Sequence, residues 1–120
     1  MAPSQLQIAT SSLQRLIKEE ASYYKEQAQQ EARIATLEKK SPAADEADNH
    51  EYQLKQERKA LEETIAVIPT LREQITSARE KLESFLDSAT NDEERNKAIE
   101  VLKSAKETQK DDPVAGQDVS

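Results

Sequence analysis

The sequence predicts an all-α protein, an elongated antiparallel three-helix bundle whose second helix is kinked by a proline. Three observations carry that expectation. Leu54, Leu61, Ile68, Ile75 and Leu82 recur every seven residues, the spacing of a helix that packs lengthwise on other helices. The 120-residue chain holds a single glycine, Gly116, and no Asn-Gly, Asp-Gly or Pro-Gly pair, so the tight reversals of a sheet fold are missing. Charged residues make up 34% and aromatic residues 3% of the chain, a balance that suits helical bundles and coiled coils. The 35% apolar content is low for a compact globule yet enough for narrow seams. The regular apolar spacing argues against disorder throughout. The length allows one domain with tails, with the bundle over residues 1–110 and a disordered tail over 111–120.

The first helix is expected over residues 4–40, starting in the stretch Ser4 to Ser11. Leu6, Ala9, Leu13, Leu16, Tyr23, Ile34 and Leu37 share one heptad frame. Glu20, Gln27 and Gln30 fall on the same frame and weaken its middle. Ile17, Ala21, Tyr24 and Ala28 form a neighbouring ridge, so a wide buried face is expected rather than a strict seam. Thirty-five helical residues span ~50 Å.

Residues 41–49, Ser41-Pro42-Ala-Ala-Asp-Glu-Ala-Asp-Asn49, form the first break. Proline biases Ser41 away from helical geometry, and Asp and Asn supply turn formers and helix caps. The second helix is expected over 50–87. Beside the opening heptad stripe, Thr64 or Ile65, then Leu71, Ala78 and Phe85 supply its second apolar position. Pro69 lies inside it and removes one hydrogen bond from the carbonyl of Ile65, a loss of ~3 kcal/mol. Because the repeat keeps its phase from Ile68 to Ile75, one long kinked helix is the better reading than two helices and a loop. Ser88-Ala-Thr-Asn91 makes the second break. Thr90 followed by Glu93 reads as a capping box for a third helix over 91–108 carrying Ala98, Ile99, Val101, Leu102 and Ala105. Beyond Gln109 no period remains. Short connections make sequential helices antiparallel. The thin seam of the first helix leaves room for a homodimer beside a monomer, or for a partner.

The net charge is −7, with acids and bases interspersed. No Lys/Arg cluster exceeds a pair such as Lys39-Lys40, so there is no basic footprint for nucleic acid and no basic amphipathic face for a membrane. The absence of cysteine excludes disulfides and zinc-thiolate sites and fits a reducing compartment. No signal peptide is visible at the N-terminus, and no apolar run approaches the ~20 residues of a membrane span. A soluble protein of the cytosol is expected.

No enzyme site is expected. His50 is the only histidine and lies beside the linker, where a solvated or capping role outweighs catalysis, which needs a positioned partner. Asp45, Glu46, Asp48 and His50 lack calcium-loop spacing and its glycine. No glycine loop exists to cradle a phosphate. Tyr23 and Phe85 fall on seams, Tyr52 follows the hairpin break, and Tyr24 lies off the strict frame, suited to an interface. The polar run Lys25, Glu26, Gln29, Gln30, Glu31 and Arg33 reads as helix solvation, or as hydrogen-bonding groups offered to a partner protein.

Arg15-Leu16-Ile17-Lys18-Glu19, then Tyr23-Tyr24-Lys25-Glu26 and Gln29-Gln30-Glu31 with Ile34 beyond, resemble the first helix of the tubulin-binding cofactor A family. Tyr52, Lys55, Leu61, Glu63, Ile68-Pro69, Ala78, Leu82 and Leu86 are similar in spacing to that family's second helix. The likeness covers roughly residues 5 to 107. It departs in the acidic linker Ser41 to Asn49 and in the tail after Lys110. The resemblance implies a rod-like three-helix chaperone of tubulin folding. Such a protein captures β-tubulin released from the cytosolic chaperonin and passes it toward assembly with α-tubulin, with other tubulin-folding cofactors as further partners. It uses no nucleotide or other cofactor and works in the cytoplasm, on the cytoskeleton. Tyr24, Lys25, Glu26, Gln29 and Glu31 are the exposed motif residues that the resemblance marks for partner contact. The competing expectation is a structural coiled-coil adaptor that self-associates through its heptad seams.

Overall fold

A computed structural model describes residues 3–110, and the expected tail over 111–120 lies outside them. Helix α1 spans Gln5–Lys39, α2 Ala47–Phe85 and α3 Asp92–Lys110, with one 3-10 turn at Leu86–Ser88. The described residues contain no strand. The fold is all-α, with three helices.

Local chemistry sets each helix end. The Ser4 hydroxyl accepts from the Gln7 N–H at 3.1 Å, while Gln7 Oε1 accepts from the Ser4 N–H at 2.9 Å. That reciprocal pair satisfies two donors that the first turn of α1 would leave orphaned. At the other end the Leu37 carbonyl accepts from Lys40 N at 3.2 Å and from His50 Nε2 at 2.6 Å. His50 therefore closes the α1–α2 connection as a cap. Helix α2 begins at Ala47 rather than at His50, because the Glu46 carbonyl already accepts from the His50 N–H at 3.0 Å. The expected capping box of α3 is shifted by one residue. Asn91 Oδ1 accepts from the Glu94 N–H at 2.8 Å, and Glu94, not Glu93, reaches back to the N–H and hydroxyl of Thr90. The helix starts at Asp92, so Glu94 is its third residue and Asn91 its cap.

Helix α2 continues through Pro69. The residues around the missing hydrogen bond, Ile65, Ala66, Val67, Pro69 and Thr70, are all exposed. Water can therefore reach the Ile65 carbonyl, which lowers the penalty of leaving it without a backbone donor.

The chain groups into two compact units. Residues 21–70 form a helical hairpin from the later part of α1 and the earlier part of α2. Ion pairs Arg33–Glu57 at 3.2 Å and Glu38–Arg58 at 4.0 Å, with the His50–Leu37 bond, fix its antiparallel register. Its buried residues are Gln30, Ile34, Thr64 and Ile68. The second unit joins residues 3–20 to residues 71–110 and contains three helical segments. Ser4 donates to Glu94 at 2.6 Å at one end. Farther along, Gln109 accepts from Arg79 at 2.6 Å and donates to Thr76 at 2.7 Å. These contacts run α3 antiparallel to α2 and parallel to α1. Leu6, Leu13, Ile75 and Leu82 are the largest apolar side chains fully buried there, joined by Leu71, Ala98, Val101, Leu102 and Ala105. Removing one such side chain from water stabilises by about 1.5–3 kcal/mol.

The heptad frames locate this core, with two corrections. Thr64 takes the buried position that Thr64 and Ile65 contested, its hydroxyl bonded to the Ala60 carbonyl at 3.0 Å, while Ile65 is 46% exposed. The expected second ridge of α1 is not buried: Ile17 is half-buried, and Ala21, Tyr24 and Ala28 are exposed. A two-helix hairpin buries only the stripe between its helices, so the seam stays narrow.

Candidate partner-binding surface

Tyr24, Lys25, Glu26, Gln29 and Glu31 all lie on the exposed surface of α1, within the 21–70 hairpin. At about 100° per residue they do not form one patch. Tyr24 and Glu31, seven apart, share one flank of the seam. Lys25 and Gln29, four apart, point away from it. Glu26 lies on the opposite flank. Glu31 accepts from Gln27 Nε2 at 3.0 Å, which ties that carboxylate to its own helix.

The sequence did not reveal a depression of about 510 Å³ on the same hairpin, lined by Arg33, Leu37, Tyr52, Gln53, Gln56 and Glu57. Tyr52, which follows the hairpin break, is 62% exposed at its rim. Its ring, two amides and the Arg33–Glu57 pair offer apolar area together with hydrogen-bonding groups, the mixture that protein partners contact. The amide-rich character expected of α1 is thus shared by α2.

The titratable groups that depart from ordinary behaviour lie in the other unit. Glu20 is 1% exposed. Burial raises its carboxyl above the ordinary range, while the nearby Arg72 charge and the Thr108 hydroxyl pull it back down. Its Oε2 stands 3.6 Å from Arg72 Nε and has no hydrogen bond. Glu94 is lowered, first by the Ser4 hydroxyl and then by Thr90. A carboxylate held by an arginine inside a helix seam does structural work. Among the described residues no group of three His, Cys, Asp or Glu could hold a metal ion, and no helix is long and apolar enough to cross a membrane.

The sequence model of the tubulin binding cofactor A family matches residues 1–109. The chain belongs to the tubulin binding cofactor A family. Tubulin-specific chaperone A of Saccharomyces cerevisiae is 38% identical over 107 residues, covering 89% of this chain and 95% of that protein. Among solved structures, the tubulin folding cofactor A of Arabidopsis thaliana superposes with a TM-score of 0.71 at 27% identity, covering 85% of this chain and 92% of that one. RBL2P, a β-tubulin binding post-chaperonin cofactor, superposes with a TM-score of 0.72 at 35% identity, covering 88% of this chain and 97% of its own. These cofactor A structures have the same three-helix fold.

Proposed function

We propose that this protein captures monomeric β-tubulin after its release from the chaperonin and holds it by stoichiometric binding, without catalysis. The observation that carries this reading is the family match over residues 1–109, together with the 35% identity to a β-tubulin binding post-chaperonin cofactor across nearly its full length. Physically, a binder of this kind lowers the free concentration of an aggregation-prone subunit by mass action. It needs an exposed surface rich in amphipathic and hydrogen-bonding groups, not a cleft with a nucleophile. The hairpin over 21–70 offers such a surface on both of its helices. We assign the contact to Tyr24, Lys25, Glu26, Gln29 and Glu31, with Tyr52 and Gln56 on α2 as a second set. The setting is the cytoplasm, where the chaperonin delivers its product.

The test is a native-gel capture assay with β-tubulin released from purified chaperonin. Wild-type protein should shift β-tubulin into a one-to-one complex. The combined variant Tyr24→Ala/Lys25→Ala/Gln29→Ala should weaken capture at least tenfold while its thermal midpoint stays near that of wild type, because surface changes of this kind move stability by less than about 0.5 kcal/mol. A wild-type protein that leaves released β-tubulin unbound sinks the proposal. The adaptor reading is kept for one observation, the seam of α1 that carries buried Gln30. It requires a stable high-order oligomer in light scattering over a range of concentrations.

A further inference from the structure

The connection between α1 and α2 contains a feature that capture of a protein partner does not use. Each of the four prolines follows a different residue, and only Pro42 follows a serine or threonine. Ser41-Pro42 is therefore the single Ser/Thr-Pro step in the sequence. Ser41 and Pro42 lie outside both helices and are exposed, as are Lys39, Lys40 and every residue from Ala43 to Glu46. Proline disfavours helical geometry in the residue before it, and Ser41 lies in irregular backbone outside helix and turn, where a kinase can take it as an open strand. Its hydroxyl has no hydrogen bond among the described residues, whereas the Thr36 hydroxyl, in the last turns of α1, donates to the Ala32 carbonyl of its own helix. Ser41 also lines a depression of about 380 Å³ with Lys40, Glu46, Asn49, His50 and Gln53. A phosphate there meets the Lys40 ammonium and the Asn49 amide at the start of α2, where helix N–H groups favour an anion. Glu46 is the one acidic side chain of that depression and opposes it. Lys39 and Lys40 stand immediately before the acceptor in sequence.

We propose that Ser41 is a phosphorylation site for a proline-directed serine/threonine kinase, and that Lys40 holds the added phosphate at the tip of the hairpin. In the transfer, the Ser41 Oγ attacks the γ-phosphorus of ATP, the bond to the bridging oxygen breaks, ADP leaves, and the hydroxyl proton passes to the kinase base. The product carries about 1.5–2 additional negative charges at neutral pH. Those charges stand beside the Leu37 carbonyl that His50 caps, and Leu37 and Gln53 also line the Tyr52 depression. The modification thus places a dianion next to a surface assigned above to partner contact.

The experiment uses the full chain with a purified proline-directed kinase and magnesium ATP, followed by intact-mass and fragment-mass spectrometry. The expected result is a single added phosphate on Ser41 that Ser41→Ala abolishes. A phosphate-31 NMR titration then compares the folded phosphoprotein with a phosphopeptide of residues 36–46. The midpoint in the protein should lie lower by about 0.3–0.5 pH unit, the size of shift an exposed opposite charge gives, and Lys40→Ala should return it to the peptide value. Phosphorylation of the unmodified 36–46 peptide but not of the folded protein overturns the site. Equal midpoints in protein and peptide overturn the role of Lys40. Neither result depends on β-tubulin, so failure here and failure of the proposed function are separate outcomes.

Discussion

The pair Glu20–Arg72 permits a demanding test of the physics of this seam. Glu20 has a side chain 1% exposed and Arg72 one 11% exposed, 3.6 Å apart. At an effective dielectric of about 20, two unit charges at that separation attract by about 5 kcal/mol, which bounds the coupling from above. Desolvation of the carboxylate works against it and is the larger influence on Glu20, since the net displacement of its pKa is upward. Replacing Arg72 by Met leaves the Glu20 carboxylate buried without its counter-charge. Breaking a buried pair in this way costs about 3–5 kcal/mol, and protonation of Glu20 relieves part of it, so a loss of about 2–3 kcal/mol is expected at pH 7. Glu20→Met strands the Arg72 guanidinium, whose side chain is only 11% exposed, and should likewise cost about 2–3 kcal/mol. The double variant removes both charges and should fall between wild-type stability and a gain of ~2 kcal/mol. The coupling energy then exceeds ~2 kcal/mol. Urea unfolding followed by circular dichroism, with the slope unchanged across the four proteins, measures each term. Single losses that add to the double within ~0.5 kcal/mol would refute the reasoning.

Four further outcomes follow from the same structure. Ile75→Ala should destabilise by about 2–5 kcal/mol, whereas Ile8→Ala, at a residue 53% exposed, should cost less than ~1 kcal/mol; both are read from urea midpoints. Gln30 is 3% exposed with its Oε1 unpaired, so Gln30→Leu should stabilise by about 1 kcal/mol. Pro69→Ala restores a donor for the Ile65 carbonyl and should raise stability by about 1–3 kcal/mol, and a lower melting temperature would contradict it. The two shifted carboxylates act in opposite directions with pH. Glu94 is lowered from 4.5, so its contribution is present above that value and lost as pH falls through the folded pKa; Glu94→Gln should flatten the acid decline. Glu20 is raised from 4.5, so its contribution weakens as pH rises from there through the folded pKa, and Glu20→Gln should remove that component.

Most of the helical core was legible in the sequence because a seven-residue period survives any detail of packing. Ile68, Ile75 and Leu82 are buried where the period puts them. What the period cannot resolve is a choice between neighbours, and Thr64 won over Ile65 because threonine can bury its hydroxyl against the Ala60 carbonyl of its own helix. Glu20 fell on the buried frame as an anomaly, and its partner was invisible, since Arg72 is 52 residues away and helix register decides which cation arrives. The Asn91 cap was missed in favour of Thr90 because both precede an acid by three residues and only the actual helix start separates them. The five α1 surface residues were legible as exposed, but not the depression beside Tyr52. That feature depends on how two helices meet, which no single-helix pattern encodes.

The buried set of the 21–70 hairpin has a kinetic consequence. Two of its four residues, Gln30 and Thr64, are polar, and no third segment adds apolar area within that unit. Local opening free energies follow buried apolar contact, so backbone amides of this hairpin should exchange with deuterium through fluctuations far smaller than global unfolding. Amides flanking Leu13, Ile75 and Leu102 should exchange only when the whole chain opens. The region we propose for partner contact is thereby the region that breathes, and a partner bound there would be seen first as slowed exchange.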